Sequence, residues 1–113
     1  MRVAVVGSRF FTDYDYVKSS LDIVSEFREI TVIISGGQRG ADTLGERYAK
    51  ENGIEFVLFA ADWNKYGRAA GPIRNKQIIE EGKPELVVAF KPGGGTMNTI
   101  GHAERNNIEV IIL

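Results

Sequence analysis

Five short apolar runs recur along the chain, and none shows the strict polar alternation of a half-buried strand. They cover residues 3–6, 30–34, 56–59, 86–90 and 108–113. Continuous apolar runs of this length are typical of strands that are covered on both faces, as in a parallel sheet flanked by helices. The pattern therefore predicts five buried β-strands.

Four segments between those runs carry the period of amphipathic helices. The first begins near Thr12 with a Ser/Thr-x-x-Asp/Glu capping pattern and has apolar side chains at positions 17, 21 and 24. The others cover about residues 41–51, 72–82 and 96–105. Pro72 suits the first turn of the third helix. Strands and helices are thus predicted to alternate along the whole chain.

Strict alternation of this kind predicts an α/β fold with a parallel sheet and right-handed crossovers. We expect one Rossmann-like domain over residues 1–113, a three-layer sandwich with a five-stranded parallel sheet of order 3-2-1-4-5. Helices 1 and 2 then cover one face, and helices 3 and 4 cover the other. A flavodoxin-like order, 2-1-3-4-5, is the alternative. Both orders place a ligand beyond the carboxyl ends of the strands, beside strand 1.

The composition narrows the functional classes. The formal net charge is −1, whereas general nucleic-acid binders show a basic excess, so nucleic acid is not the expected partner. No apolar run approaches the roughly 20 residues of a membrane span, and no signal peptide is recognisable, so no membrane association is expected. The absence of cysteine suits a cytoplasmic protein. With one histidine and no cysteine, neither a metal cluster, a catalytic triad nor a cofactor is predicted.

The loops after strands 1 and 2 both contain glycine. They read Gly7-Ser8-Arg9 and Ser35-Gly36-Gly37-Gln38-Arg39-Gly40-Ala41-Asp42. Glycine lets a backbone approach a ligand closely, and a serine hydroxyl and an arginine fork suit a phosphate group. Paired glycines before a helix leave N–H groups unpaired at the positive end of the helix dipole, which binds anions. For Asp42, a ligand contact and a structural place in the first turn of helix 2 are both open.

Two further segments combine glycine with polar and aromatic residues. The long connection after strand 3 contains Asp62, Trp63, Arg74 and Asn75, and the connection after strand 4 reads Lys91-Pro92-Gly93-Gly94-Gly95-Thr96. Aromatic rings can stack on a base while an arginine pairs with phosphate. Three consecutive glycines cost backbone entropy, and close contact with a phosphate at the start of a helix would account for them. Thr96 is expected to cap that helix or to bind the ligand.

These four segments together resemble the SLOG superfamily, and the Asp62-Trp63 … Gly71-Pro72-Ile73-Arg74-Asn75 segment is similar to its branch of small YspA-like proteins. The resemblance spans nearly the whole chain. It implies a Rossmann-like fold and a nucleotide or nucleotide-derived ligand, such as an ADP-ribose derivative. More distant relatives include the Lonely Guy phosphoribohydrolases, the DNA-processing protein DprA and sensor domains of antiphage systems.

The chain departs from the Lonely Guy motif Pro-Gly-Gly-x-Gly-Thr-x-x-Glu at its catalytic residue. The motif is one residue shorter here, and Thr99 stands where the glutamate is expected. A threonine cannot supply that carboxylate, so the sequence favours a non-catalytic protein that senses or sequesters the ligand. The alternative is a phosphoribohydrolase or nucleotide hydrolase of the Lonely Guy type, in which Asp62 or Glu104 provides a non-standard carboxylate and Arg74 positions phosphate. Binding of single-stranded DNA ranks third because of the net charge.

The sequence therefore predicts one phosphate-binding site at the carboxyl edge of the sheet. Its expected residues are Gly7, Ser8, Arg9, Ser35, Gly36, Gly37, Asp42, Asp62, Trp63, Arg74, Asn75, Lys91, Gly93, Gly94, Gly95 and Thr96. No helix is predicted after strand 5 to cover that end of the sheet. Because exposed apolar edges invite pairing, we also expect a homo-oligomer.

Overall fold

The computed structural model describes residues 1–113 and contains one five-stranded parallel sheet. The strands are β1 (Arg2–Gly7), β2 (Val32–Ser35), β3 (Glu55–Leu58), β4 (Leu86–Phe90) and β5 (Glu109–Ile112). The helices are α1 (Tyr14–Phe27), α2 (Ala41–Glu51), α3 (Trp63–Tyr66), α4 (Ala70–Glu80) and α5 (Gly94–Arg105), with one 3-10 turn at Gly67–Ala69. The strand order is β3-β2-β1-β4-β5, which confirms the Rossmann-like prediction over the flavodoxin-like alternative.

The sheet separates the hydrophobic core into two clusters, and alternate residues of the central strand β1 belong to different clusters. Val3 and Val5 belong to a core that includes residues of α1 and α2, whereas Ala4 and Val6 belong to a second core that includes residues of α4 and α5. Because successive strand residues point to opposite faces, a run without polar residues fills both cores at once. The predicted helix layers are therefore confirmed. None of the helices is both long and apolar enough to cross a membrane.

The start of α1 differs by one residue from the expected position. The side chain of Asp13, not of Thr12, accepts a hydrogen bond from the Tyr16 backbone N–H and caps the helix. A carboxylate satisfies one of the free N–H groups of the first turn, as a threonine hydroxyl would. The capping pattern thus indicated the helix but not its capping residue.

The connection after β3 is more helical than the sequence predicts. The Asp62 carboxylate accepts from the Lys65 N–H and starts the four-residue α3, which a 3-10 turn joins to α4. Helix α4 begins at Ala70, so Pro72 is its third residue and not its first. Proline is tolerated there because N–H groups of the first turn have no partner inside the helix.

Helix α5 also begins earlier than predicted, at Gly94 and not at Thr96. None of the three consecutive glycines has a positive φ, so their backbone does not require glycine. A Cβ added at Gly93, Gly94 or Gly95 would meet nothing within 4 Å. The missing side chains therefore leave open space beside the first turn of α5.

Candidate functional site

A polar cleft with two adjoining lobes lies at the carboxyl ends of β1 and β4. The first, which we call the Trp63 lobe, has a volume of about 370 Å³, and the second, the Phe10 lobe, about 350 Å³. Both are lined by Gly7, Gln38, Gly94, Gly95 and Thr96. Strand β1 has β2 on one side and β4 on the other, so this is the point where the strand order reverses. Open α/β sheets bind their ligands at such a point.

Gly7, the last residue of β1, forms the base shared by the two lobes. Its φ is +154°, and a Cβ there would clash with the Phe90 carbonyl oxygen of β4. Only glycine lets the chain leave β1 this close to β4. The close approach brings the loop after β1 beside the start of α5.

The first turn of α5 is the anion-binding element of the cleft. The first hydrogen bond of this end of the helix runs from the Met97 N–H to the Gly93 carbonyl, and the amides of Gly94, Gly95 and Thr96 have no acceptor in the chain. No side chain caps the helix, so Thr96 is not its cap. Free amides at a helix N-terminus combine with the helix dipole to attract negative charge.

A buried arginine network forms the floor of the Trp63 lobe. Arg74 is 9% exposed, and its Nε donates to Asn75 Oδ1 at 2.9 Å while its Nη1 donates to the Gly36 carbonyl at 2.9 Å. Asn75 Nδ2 donates to the Gly95 carbonyl at 3.1 Å and to Asn98 Oδ1 at 3.2 Å. These bonds connect α4 to the first turn of α5. Burial lowers the pKa of Arg74, and the nearby Asp42 opposes this.

Asp42 is the only acidic side chain that lines either lobe. It is 4% exposed, and its Oδ2 accepts from the backbone N–H groups of Gly36 and Gln38, both at 3.2 Å. Burial raises its pKa to about 6, although these bonds, Arg74 and the adjacent Ser35 act in the opposite direction. The Ser35 hydroxyl itself is fully buried and has no hydrogen bond of ordinary geometry.

Several polar atoms around the Trp63 lobe have no partner in the chain. Arg74 Nη2, Asp42 Oδ1 and Asn98 Nδ2 make no hydrogen bond, and neither does the hydroxyl of Thr99, which is 1% exposed. The only fully buried side-chain polar atom without a partner is Ser35 Oγ, so these four atoms are accessible from the cleft, where a polar ligand can form hydrogen bonds with them.

Most of the predicted site residues line this cleft. Those that do are Gly7, Ser8, Arg9, Asp42, Trp63, Arg74, Asn75, Gly93, Gly94, Gly95 and Thr96. Those that do not are Ser35, Gly36, Gly37, Asp62 and Lys91. The loops after β1 and β4 therefore meet directly, whereas the Gly36–Gly37 pair lines neither lobe.

The loop after β2 presents only part of the free amides that the sequence suggested: the Gly37, Arg39 and Gly40 amides have no acceptor in the chain, whereas the others are paired. The Gly36 and Gln38 amides donate to Asp42, and the Ala41 amide donates to the Ser8 carbonyl. Asp42 thus has the structural role that was one of its two interpretations, and it lines the cleft as well. The paired glycines shape the loop, and the Arg74 guanidinium packs against Gly36 where a Cβ would stand.

Three other candidates lie outside the two lobes. Asp62 caps α3 and borders a smaller cavity of about 190 Å³ on the other side of Arg74. The exposed Lys91 donates its backbone N–H to the Leu113 carbonyl at 2.8 Å. Glu104 is exposed in the last turn of α5, more than two helical turns, or roughly 15 Å, from the glycines.

Sequence reasoning missed Phe10, Gln38 and Asn98. Phe10 directly follows Arg9, and Gln38 lies within the glycine-containing loop after β2. Both residues could have been included because they are adjacent to residues that were predicted to bind phosphate. Asn98 lies one turn after Gly94 on α5, and its position in the cleft could have been derived from the helical period. No three His, Cys, Asp or Glu side chains are grouped to hold a metal ion.

The fold and the cleft together define a Rossmann-like α/β domain with a polar, anion-suited cleft at the carboxyl ends of its central strands. Residues 1–66 match the model of the YspA, cpYpsA-related SLOG family. The chain is also similar to the Gene 61 protein of Mycobacterium phage D29, with 32% identity over 118 residues, covering 97% of this chain and 94% of that protein. The chain belongs to the YspA, cpYpsA-related SLOG family, which confirms the resemblance noted in the motifs.

Proposed function

We propose that this protein binds a phosphate-containing nucleotide or nucleotide-derived small molecule in the two-lobed cleft, as a sensor or sequestering protein and not as an enzyme. Membership of the SLOG family links the chain to nucleotide-related binding or hydrolysis. The observation that carries the proposal is the uncapped start of α5, where three amides without acceptors line both lobes.

The surroundings of these amides support a ligand that is both polar and aromatic. Trp63 is 60% exposed at the rim of its lobe, and its ring lies against Gly71, where no side chain intervenes. An aromatic face of this kind suits a base. The unpaired atoms of Arg74, Asn98 and Thr99 below it offer hydrogen bonds to sugar or base.

The Gly94→Ala variant tests the proposal, because it separates folding from binding. No atom lies within 4 Å of the new methyl group, and alanine favours the helix by up to about 1 kcal/mol over glycine. The methyl group projects into space beside the free amides. We therefore expect unchanged or higher thermal stability with at least tenfold weaker binding.

The measurement is isothermal titration with the four common nucleoside 5′-monophosphates, cyclic mononucleotides and ADP-ribose. Gly101→Ala is the matched control, because Gly101 lies inside the same helix and lines neither lobe. Saturable binding that Gly94→Ala weakens and Gly101→Ala retains supports the proposal. Absence of heat with every compound, or equal binding by both variants, contradicts it.

A nucleotide hydrolase is the second candidate function, and one observation favours it. A carboxyl group does line the cleft, but it is Asp42 and not Asp62. Against catalysis, the Asp42 carboxyl group is buried and holds the loop after β2 through two backbone amides, and Thr99 stands where a catalytic glutamate is expected. Turnover of a nucleoside monophosphate that disappears in Asp42→Asn and survives in Asp62→Asn would favour the hydrolase.

A further inference from the structure

From the two lobes and the helix start between them we infer that the ligand has two ring-bearing ends joined by a phosphate bridge, as in a dinucleoside pyrophosphate. This inference rests on the proposed function and adds the ligand class. One end lies in the Trp63 lobe, the bridge lies on the first turn of α5, and the other end lies in the Phe10 lobe.

The arrangement of the lobes carries the first step. The residues that line both lobes include Gly94, Gly95 and Thr96, whose amides have no acceptor. The anion-binding element is therefore central, with a compartment on each side of it. Each lobe, at about 370 and 350 Å³, is at the lower end of the size range of a small-molecule site. A mononucleotide with its phosphate on α5 would leave one of them empty.

The Phe10 lobe is equipped for a ring and not only for phosphate. Phe10 is 77% exposed, and the Arg9 guanidinium carbon lies 4.9 Å from the centre of its ring. An aromatic face beside a guanidinium plane is the type of surface on which bases stack. Trp63 provides the corresponding exposed ring at the other end.

The charge of the Phe10 lobe argues against a triphosphate tail. Arg9 is the one cationic side chain that lines it, and no lysine contributes. One guanidinium and one helix start balance roughly the two negative charges of a pyrophosphate diester. A nucleoside triphosphate places three or four charges in the same space, which this lobe does not offset.

The backbone below Phe10 is fixed before any ligand binds. The Ser8 hydroxyl accepts from the Phe10 N–H at 3.1 Å, and the Ser8 N–H donates to the Phe90 carbonyl at 3.0 Å. The Ser8 carbonyl in turn accepts from Phe11 and Ala41. A loop with its polar groups paired in this way holds the second compartment open at little entropic cost to binding.

The experiment compares AMP, ADP, ATP and diadenosine 5′,5′-diphosphate by isothermal titration of the full chain, or the same series on the base that binds best as a monophosphate. Trp63→Ala and Phe10→Ala each remove one exposed ring, and Phe27→Ala removes a still more exposed ring that lines neither lobe. We expect the dinucleotide to bind at least tenfold more tightly than ADP or ATP. Loss of one stacking ring should weaken binding by about tenfold.

The two ends should respond to different variants. Trp63→Ala should weaken both the monophosphate and the dinucleotide, Phe10→Ala should weaken the dinucleotide alone, and Phe27→Ala should change neither. A dinucleotide that binds no tighter than ADP, or ATP that binds as tightly as the dinucleotide, overturns the inference and leaves the proposed function intact. Failure of every nucleotide to bind overturns both.

Discussion

Asp42 lies in a buried position where a charge is costly. Its carboxyl group joins the loop after β2 to the first turn of α2 through two backbone amides, and the Arg74 guanidinium bonds the same loop through the Gly36 carbonyl. Breaking either contact would leave buried polar groups without partners. The exact shape of one cleft wall thus depends on two side chains from different helices.

The titration of Asp42 should be visible in the stability of the protein. Burial raises its pKa to about 6 from an ordinary value of 3.8, so between these values the folded chain holds a proton that the unfolded chain has lost. The contribution of Asp42 to stability is therefore complete below pH 3.8 and is lost as the pH rises through about 6. In Asp42→Asn the amide oxygen accepts the same two backbone bonds without titrating.

The measurement is the free energy of unfolding of both proteins in urea at several pH values from 4 to 7.5. The difference between the natural protein and Asp42→Asn should fall by up to about 2–3 kcal/mol over this range, since one pH unit corresponds to about 1.4 kcal/mol. Carboxyl groups whose pKa is lowered, such as Glu51 and Glu85, act oppositely but are common to both proteins and cancel. A difference that is independent of pH would show that Asp42 titrates as an ordinary exposed carboxyl.

At the scale of elements, the strands were predictable because a strand that is buried on both faces has a continuous run of apolar residues. The ends of the elements were less so, because they depend on caps and tertiary contacts. Asp13 and not Thr12 caps α1, and α3 forms where a loop was expected. The sequence was compatible with two strand orders, and the order 3-2-1-4-5 was favoured because its connections are the simplest. The choice between the two orders became certain only with the packing of the helices on the sheet.

The site was predictable as a region and less so as a set of contacts. Glycine clusters after β1 and β4 indicated the loops that meet, because parallel strands end at one edge. The pairing of the Gly36 amide with Asp42 depends on the turn between them, which the sequence does not specify. Phe10 and Asn98 carry no motif of their own and enter the cleft only through the packing of their neighbours.

Helix α3 provides a prediction about Asp62. Asp62→Ala removes the cap of a four-residue helix, which should cost about 1 kcal/mol and release Trp63 from its position at the rim of the cleft. Asp62→Asn retains an oxygen that can accept from Lys65. We therefore expect Asp62→Ala to weaken binding of AMP and Asp62→Asn to leave it nearly unchanged.

Asp13→Ala is the control, since Asp13 caps α1 in the same way and lines neither lobe. It should lower the melting temperature as Asp62→Ala does, without a change in titration with AMP. Equal loss of binding in Asp62→Asn and Asp62→Ala would mean that the carboxylate itself contacts the ligand, and the capping interpretation would be wrong.

At the scale of the whole molecule, the cleft lies at the carboxyl ends of the strands and leaves the two edge strands, β3 and β5, uncovered by a further strand. Strand β5 pairs only with β4, and Ile112 in it is 55% exposed. A depression beside β5 is lined by five apolar residues, Met1, Val24, Phe27, Leu86 and Ile111, and by the charged Arg28, Glu85 and Glu109, and Phe27 is 86% exposed. Unpaired strand edges next to apolar side chains are typical of association surfaces.

We therefore propose that the protein self-associates through β5. Light scattering coupled to size exclusion at high protein concentration should show a dimer or larger species. Ile112→Lys should return it to a monomer with little loss of thermal stability, because the lysine replaces a side chain that is already half exposed. Leu58→Lys is the matched variant on the opposite edge strand, β3, where the side chain is 50% exposed, and it should leave the assembly intact. An assembly that only Leu58→Lys disrupts would remove β5 as the contact. A natural protein that stays monomeric at high concentration would remove it as well, because an edge that does not pair in a concentrated solution provides no favourable free energy of association.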